Sequence, residues 1–327
     1  MAFSILRFDM RAPGLDPERT RGLYDAALEM AGWVDARGFD AITLSEHHAT
    51  DDGFLPSPIA LAGCMLGRTR RIRVGIAALL VPLYDPVKLA EDLAILDVAS
   101  GGRIAVTAGI GYRPDEYAMF GKDWKARGRH FDECLEVLLR AWSGETFEWR
   151  GRRVRLTPPP FTRPHPPILV GGTSRRAARR AARLGLPFQP AVNDPELIAL
   201  FVEESRRRGV ESPLALPPGS GETIFVSRDP DRSWAAIGEH LLHDARSYAS
   251  WQLEGQSSAV HSRAQTVAEL RAEGLYRVLT PEECVARARE RGPFCDFVHF
   301  PLCGGTPPER GWESLELYAS EVLPRLA

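Results

Sequence analysis

The stretch Ala-Ile-Thr-Leu-Ser-Glu-His-His at residues 41–48 decides how this chain folds. It starts as an apolar run with β-branched residues, and Gly38 ends the helical pattern that precedes it. This order predicts a buried parallel strand that carries polar residues at its carboxyl end. Because α/β enzymes keep their chemistry at such strand ends, we expect the functional site around Glu46 and His47.

Strand-like and helix-like patterns alternate along the rest of the chain. The predicted strands lie at 3–10, 41–44, 72–81, 103–109, 168–172, 188–192, 223–227 and 297–302. Helical spacing of apolar residues fills most of the intervals, and the segment 234–278 is predicted to be mostly helical with a break near 255–261. We therefore expect an α/β fold, a single-domain (β/α)8 TIM barrel over residues 1–327 with insertions after strands four and seven.

The composition is that of an ordinary globular protein. The chain has 327 residues, of which 44% are hydrophobic and 26% charged, with a formal net charge of -2. This balance gives no electrostatic reason to expect nucleic acid or a membrane as partner, so we expect a small-molecule substrate. The five scattered cysteines are expected to be reduced, and the start of the sequence lacks a signal-peptide pattern, which together predict a cytoplasmic location.

The residues expected at the strand ends are poor in nucleophiles and metal ligands, and we predict no metal site. They are Asp9, Glu46, His47, His48, Ala77, Ala78, Thr107, Gly109, Gly171, Gly172, Thr173 and Ser174. We interpret His47 as a general acid or base with Glu46 orienting the site, although a structural histidine bonded to backbone would give the same pattern. His48 points away from His47 in an extended chain and is a candidate substrate-binding residue.

Two glycine-containing stretches are candidate ligand contacts. The segment 171–174 joins a predicted strand to a helix N-terminus, which predicts either an anion site or an ordinary turn with Ser174 as N-cap. The glycines at 109–111 either relieve crowding or let a flat ring lie against the backbone. Aromatic residues including Tyr112 and Trp251 indicate a partly apolar organic substrate.

Several motifs together resemble a known family. They are Ser45-Glu46-His47-His48, Ile72 to Pro82 with Asp85-Pro86-Val87, Gly102-Arg103-Ile104, Gly109 to Tyr112, Glu116-Tyr117, Phe120-Gly121, Arg127 to Glu133 and Pro167 to Gly172. In these the chain resembles the bacterial luciferase-like monooxygenase superfamily, flavin- or deazaflavin-dependent oxidoreductases on a (β/α)8 barrel. Beyond the helix that follows Ser174, only the general layout is similar.

The resemblance implies where a flavin would bind. Its ring is expected near Glu46, Ala77, Ala78 and Thr107, with a cis peptide between the two alanines. Its phosphate is expected against residues 172–174.

An arginine, Arg127 or Arg129, would supply the countercharge for that phosphate. The luciferases place a cysteine and a phosphate-binding arginine where this chain has Gly109 and Ile110. This departure leaves the type of flavin open.

The resemblance also implies the activity. Reduced FMN, supplied by a separate flavin reductase, would react with O2 and oxygenate the substrate, and the protein would form a homodimer. A mobile lid is expected over 240–264. One alternative is hydride transfer with the deazaflavin F420 on the same barrel, and another is a non-catalytic flavin-binding protein. An unrelated hydrolase would need paired carboxylates at strand ends, where only Asp9 and Glu46 are available.

Overall fold

The computed structural model describes residues 2–217, 223–251, 262–292 and 295–326. Its strands are β1 (Phe3–Phe8), β2 (Ala41–Leu44), β3 (Arg73–Leu80), β4 (Ile104–Gly109), β5 (Phe147–Trp149), β6 (Arg152–Val154), β7 (Ile168–Gly172), β8 (Phe188–Pro190), β9 (Thr223–Val226), β10 (Tyr276–Leu279) and β11 (Asp296–His299). Its helices are α1 (Pro17–Asp35), α2 (Pro58–Arg68), α3 (Pro86–Ser100), α4 (Pro114–Met119), α5 (Arg127–Trp142), α6 (Arg175–Leu184), α7 (Pro195–Arg207), α8 (Pro230–Trp251), α9 (Val267–Glu273), α10 (Pro281–Arg291) and α11 (Pro308–Leu317).

The chain divides into two compact units. The first unit comprises Met1–Thr43, Thr50–Pro56 and Gly219–Ala327, and the second comprises Leu44–Ala49 and Ser57–Pro218. In both units parallel strands alternate with helices, which confirms the predicted α/β class. The expectation of a single domain stays a prediction.

The second unit is built on four parallel strands in the order β3-β4-β7-β8. Val106 in β4 lies between Ile76 of β3 and Ile168 of β7, and all three side chains are buried. The register of β3 shifts between Ala77 and Leu79, and the peptide between Ala77 and Ala78 is cis. The cis peptide that the family resemblance implies is therefore confirmed.

The first unit contains β10, β9, β11 and β1 as parallel neighbours in that order, and β2 follows β1. Phe3 of β1 lies opposite Asp296 of β11. Helix α8 places Ile237 and Leu241 in a buried cluster with Phe225 of β9. Full burial of such an apolar side chain contributes about 1.5–3 kcal/mol, so this cluster fixes α8 on the strands.

Helix boundaries follow local capping rules. The Asp85 side chain accepts the N–H groups of Val87 and Lys88 at 2.9 and 3.1 Å, and Gly101 ends the same helix, α3, in the left-handed conformation. Thr280 and Glu283 form a capping box at the start of α10. Within the described ranges, no helix combines the length and apolar character needed to cross a membrane.

The prediction of a mostly helical segment over 234–278 is wrong at its carboxyl end. Helix α9 stops at Gly274, and β10 follows at once and pairs in parallel with β9. The charged Arg277 interrupts the apolar residues of β10, so no continuous apolar run marks this strand in the sequence. The predicted break at 255–261 and the central part of the predicted lid, 252–261, lie outside the described residues.

His299 ends β11 with a buried side chain. It is 1% exposed, and its ring lies 4.1 Å from the ring of Tyr318 and 5.4 Å from that of Phe39, measured between centroids. Burial lowers the pKa of His299 to about 3, because the charged imidazolium loses its hydration in this apolar setting. The folded protein therefore keeps this ring neutral.

We expect His299 to make the protein less stable as the pH falls. Below about pH 6.5 the unfolded chain binds a proton at this side chain, while the folded protein binds it only near pH 3, so the free energy of unfolding falls by up to about 1.4 kcal/mol per pH unit. His299→Phe removes this loss, so urea denaturation should show the variant gaining on the wild type from pH 7 to pH 4. The same stability difference at both pH values would contradict the prediction.

Candidate active site

Glu46, just beyond β2, is a buried carboxylate surrounded by several hydrogen-bonding groups. It is 2% exposed, accepts the Leu80 backbone N–H at 2.6 Å and the Tyr84 hydroxyl, and lies 3.1 Å from Nε2 of His48. These bonds replace the water that a buried carboxylate loses. Since successive side chains of an extended chain point to opposite sides, Glu46 orients His48 and not His47.

His47 has partners at both ring nitrogens. It is 5% exposed, with Nδ1 at 2.8 Å from Oε1 of Glu116 and Nε2 at 3.1 Å from the Tyr112 hydroxyl. A carboxylate accepts hydrogen bonds only, so in the neutral ring Nδ1 carries the hydrogen and Nε2 accepts from Tyr112. A carboxylate that orients an imidazole is the arrangement that proton-transfer sites use.

Glu116 on α4 is a site residue that the sequence predicted only as part of the family resemblance, without a role in the site. Its side chain is fully buried, accepts the His48 backbone N–H at 3.1 Å and forms an ion pair with Arg113 at 3.3 Å. Burial acts to raise the pKa of Glu116, but the hydrogen bond and charge of His47, the His48 N–H and the Arg113 charge outweigh it and lower that pKa. The carboxylate is therefore ionised at neutral pH.

Small residues line the strand ends of the second unit. Ala77 and Ala78 are half-buried, and Thr107 and Gly109 are buried. A Cβ atom at position 109 would lie 2.7 Å from the Ala78 Cβ atom, a distance that real Cβ atoms do not reach. Gly109 thus relieves crowding between β3 and β4, which is one of the two roles expected from the sequence.

A hydrogen bond crosses β7 between two polar side chains. The Thr107 hydroxyl on β4 donates to Oε1 of Gln189 on β8, and Gly171 of β7 lies between the two strands. A Cβ atom at 171 would lie 3.0 Å from Cγ2 of Thr107, so glycine leaves the room that this contact needs. Gln189 was not among the predicted site residues.

The predicted anion site lies at the start of α6. Gly172 is half-buried, Thr173 and Ser174 are exposed, and the Ser174 hydroxyl caps the helix by accepting the Ala177 N–H at 3.2 Å. Arg129 is exposed on α5, whereas the Arg127 guanidinium lies 3.7 Å from the ring centre of Trp124. Nothing in these contacts directs either arginine to the start of α6.

Two predicted strand-end or substrate residues lie in the first unit. Trp251 packs its ring against Phe54, with centroids 5.9 Å apart. Asp9 is fully buried in an ion pair with Arg11 at 2.9 Å, and Arg11 also faces Asp244 at 3.3 Å. Burial and the charge of Asp244 raise the pKa of Asp9 to about 7, against the effect of Arg11.

A metal ion finds no ligand set in the described part of the chain, where no group of three or more His, Cys, Asp or Glu side chains is suitably arranged. His47 and His48 each use one ring nitrogen in a hydrogen bond to a different glutamate.

We expect Glu116→Gln to destabilise the protein by about 1–3 kcal/mol at pH 7, because the neutral amide leaves Arg113 without its buried countercharge. The folded pKa of Glu116 lies below its unfolded value of 4.5, so its contribution is present above that pH and is lost as the pH falls through the folded pKa. Urea denaturation should therefore show the variant and the wild type converging as the pH falls below 4.5.

Glu136→Gln is the matched control, since its ion pair with Arg183 is exposed and should contribute less than about 0.5 kcal/mol. A Glu116→Gln effect as small as that of the control would contradict the buried pairing.

We expect Gly109→Ala to lower the free energy of unfolding by about 1–3 kcal/mol, because the new methyl group overlaps Ala78. Gly22→Ala on α1 is the control. A Cβ atom at position 22 meets nothing within 4 Å, so this substitution should stabilise the helix by up to about 1 kcal/mol. Both effects are read from urea denaturation curves. A Gly109→Ala protein as stable as the wild type would show that β3 and β4 can separate at no cost.

Characterised proteins of related sequence include monooxygenases. The chain is 27% identical over 180 residues to the flavin-dependent trigonelline monooxygenase, oxygenase component, of Acinetobacter baylyi, which is 53% of this chain and 50% of that protein. It is 29% identical over 195 residues to the FMNH2-dependent dimethylsulfone monooxygenase of Pseudomonas putida, 57% of this chain and 53% of that protein. The chain thus spans about half the length of these relatives.

The fold and the family follow from two further comparisons. The monooxygenase RslO1 of Streptomyces bottropensis has a TM-score of 0.78 and 25% identity over 100% of both chains, and an F420-dependent secondary alcohol dehydrogenase has a TM-score of 0.69 and 17% identity over 100% of both. These likenesses confirm the predicted TIM-barrel fold. The family model described as luciferase-like monooxygenase matches residues 1–291. The resemblance seen in the sequence is therefore confirmed, and the chain belongs to the luciferase-like monooxygenase family.

Proposed function

We propose that the protein is a flavin-dependent monooxygenase that uses reduced FMN and O2 to oxygenate a small, partly apolar organic substrate. The observation that carries this proposal is the buried His47–Glu116 pair, which follows β2 in the same unit as the small residues at the ends of β3 and β4. An imidazole held by an ionised carboxylate is suited to moving protons during a reaction. The family and its characterised members supply the reaction class.

The residues of the second unit fit a flavin. Ala77, Ala78 and Gly109 present little side-chain bulk beside Thr107, which leaves room for a flat ring. We propose that these residues, with Glu46 and Gly171, contact the ring system.

The start of α6 suits the flavin phosphate, because first-turn N–H groups and the helix dipole favour an anion there. We propose that residues 172–174 hold the phosphate. A role for Arg129 as countercharge requires its exposed side chain to move to the ligand, since no contact of the described residues holds it there.

The bound reduced flavin would supply the reactivity toward O2. The protein's own residues would then bind and orient the substrate, keep out water and handle protons. His47 would take up or release a proton at Nε2, while Glu116 holds Nδ1 and stabilises the charged ring. His48, fixed by Glu46 and packed edge-on against Phe120 with centroids 4.8 Å apart, would contact the substrate.

An F420-dependent hydride transfer is the second candidate. A solved F420-dependent alcohol dehydrogenase shares the fold, and the places of the luciferase cysteine and arginine are taken here by Gly109 and Ile110. A third candidate is a flavin-binding protein without catalysis. The network of buried hydrogen bonds around His47 argues for the catalytic readings, because a binding protein has no need to orient an imidazole.

The names of the relatives bear on which protein partner this chain would need. One relative is an oxygenase component, so we propose that a separate flavin reductase delivers reduced FMN to this protein as well. A homodimer and a cytoplasmic location stay predictions, as does the role of Trp251 in substrate binding.

The proposal is tested by anaerobic titration of the purified protein with reduced FMN and, separately, with reduced F420. Saturable binding of FMN, followed on admission of air by a transient absorbance that differs from reduced and oxidised flavin, is the expected result. Selective binding of F420 without any response to air would move the protein to hydride transfer. Tight binding of flavin without turnover of any substrate would leave only a binding function.

We expect His47→Ala to bind reduced FMN normally but to lower kcat by about 100-fold or more, because the proton-transfer group is lost. The measurement is the steady-state rate at saturating substrate, with reduced FMN supplied continuously in aerated buffer. His130→Ala on α5 is the control and should keep the wild-type rate. A His47→Ala protein with near-normal turnover would remove this residue from the mechanism.

A further inference from the structure

We propose that Gln189 is a cofactor-binding residue. Its side-chain amide, oriented by the Thr107 hydroxyl, donates a hydrogen bond to the pyrimidine half of the flavin ring and favours the reduced flavin over the oxidised flavin. This inference rests on the proposed function, because it assigns a further contact of the same ring site. It follows from the structure alone, since no motif of the family resemblance includes Gln189.

Gln189 lies in the same row of the sheet as the residues of the proposed ring site. Ala77 of β3 pairs with Thr107 of β4. Gly171 of β7 pairs with Gln189 of β8. Thr107 pairs with Leu169, two residues before Gly171, so all four side-chain positions share one face of the sheet. Gln189 therefore extends the face on which we place the ring.

The amide of Gln189 has a defined orientation. The Thr107 hydroxyl donates to its Oε1 atom, so the two N–H groups lie on the other branch of the amide. In the reverse assignment Nε2 would donate to the hydroxyl, and the hydroxyl hydrogen would lose its acceptor, because Thr107 has no other side-chain partner among the described residues. Thr107 is only 9% exposed, so an unmatched hydroxyl hydrogen would be costly there.

The Nε2 atom of Gln189 is open to a further acceptor. It forms no hydrogen bond with any residue that the structure describes, and it is not one of the described atoms that are buried without a partner, so it keeps accessible surface. Gly171 lies on the strand between Gln189 and Thr107 and carries no side chain that would cover this surface. The N–H groups can therefore donate to a ligand that lies against Gly171.

The chemistry of the ring determines which part of it Gln189 can bind. A flavin has hydrogen-bond acceptors on its pyrimidine half, in two carbonyl oxygens and ring nitrogens, whereas its dimethylbenzene half has none. On reduction the pyrimidine half gains electron density and readily becomes anionic. Because a hydrogen bond to a charged group is roughly twice as strong as one between neutral groups, Gln189 stabilises the reduced flavin more than the oxidised flavin.

Nuclear magnetic resonance of the ligand-free protein tests the orientation of the amide without any cofactor. The chain has four glutamines, so ¹⁵N labelling of their side-chain amides gives few signals, and Gln189→Leu assigns those of Gln189. We expect an amide order parameter of about 0.85, typical of a rigid group, and a fall below about 0.6 in Thr107→Val. An order parameter that Thr107→Val leaves unchanged would overturn the role of Thr107.

Anaerobic addition of reduced FMN to the labelled protein tests the contact. We expect an N–H proton of Gln189 to shift downfield at saturation, and to shift less with oxidised FMN. Gln265 is the internal control, because it is exposed in the other compact unit and its amide donates to the Arg263 carbonyl at 3.2 Å. Its signals should stay in place. Gln189 protons that do not move at saturation would overturn the proposal.

Dissociation constants of both redox states test the preference for reduced flavin. We expect Gln189→Leu to lower the affinity for reduced FMN by about 10-fold or more, and that for oxidised FMN by no more than about threefold. Gln265→Leu is the matched control and should change neither affinity. A general disturbance of the site would lower both affinities equally, because the phosphate is the same in both states. Equal losses, or no loss, would overturn the proposal.

A second variant guards against a loss of folding. Gln189→Met keeps the length of the side chain without its donor and should show the same unequal losses as Gln189→Leu. Far-ultraviolet circular dichroism and melting curves confirm that each variant is folded before its affinity is measured.

Failure of this inference differs from failure of the proposed function. If the wild type binds reduced FMN and Gln189→Leu binds it equally well, Gln189 is excluded and the proposed function stands. If the wild type binds neither reduced FMN nor reduced F420, the proposed function fails and this contact fails with it. The order parameters of the ligand-free protein still decide whether Thr107 fixes the amide.

Discussion

The carboxylate of Glu116 connects two segments that are distant in the sequence. It accepts hydrogen bonds from the His47 ring and from the His48 backbone. It also forms an ion pair with Arg113, the residue directly before α4. A buried carboxylate with fewer partners would be strongly destabilising, so the segment after β2 and the segment after β4 must stay together. The position of the imidazole is therefore set by the same bonds that keep the protein folded there.

The neighbouring residues His47 and His48 each bond to a different glutamate. Glu46 binds the ring of His48, the Leu80 N–H and the Tyr84 hydroxyl, while Glu116 binds the ring of His47. Because adjacent side chains point apart, one short segment presents two imidazoles in opposite directions without competition for a single acid. The ring of His47 is hydrogen-bonded to the Tyr112 hydroxyl, whereas the ring of His48 packs against the ring of Phe120. The first contact is polar and the second is apolar.

Local rules made much of this structure predictable, and long-range contacts account for what was missed. The capped start of α3 at Pro86 and the polar residues after β2 are encoded within a few residues. The pairing of Glu116 with His47 spans 69 residues and that of Gln189 with Thr107 spans 82, so neither leaves a local pattern. The strand β10 was missed because the charged Arg277 interrupts its apolar run.

The parallel pairing of β1 with β11 has a consequence for the synthesis of the protein. Phe3 lies opposite Asp296, so this edge of β1 meets its partner only after residue 296 has left the ribosome. Residues 57–218, most of the second unit, emerge long before that moment. Until then β1 offers unpaired backbone groups to any other extended chain. The β11 side of β1 is therefore exposed to association with other chains for most of the time that synthesis takes.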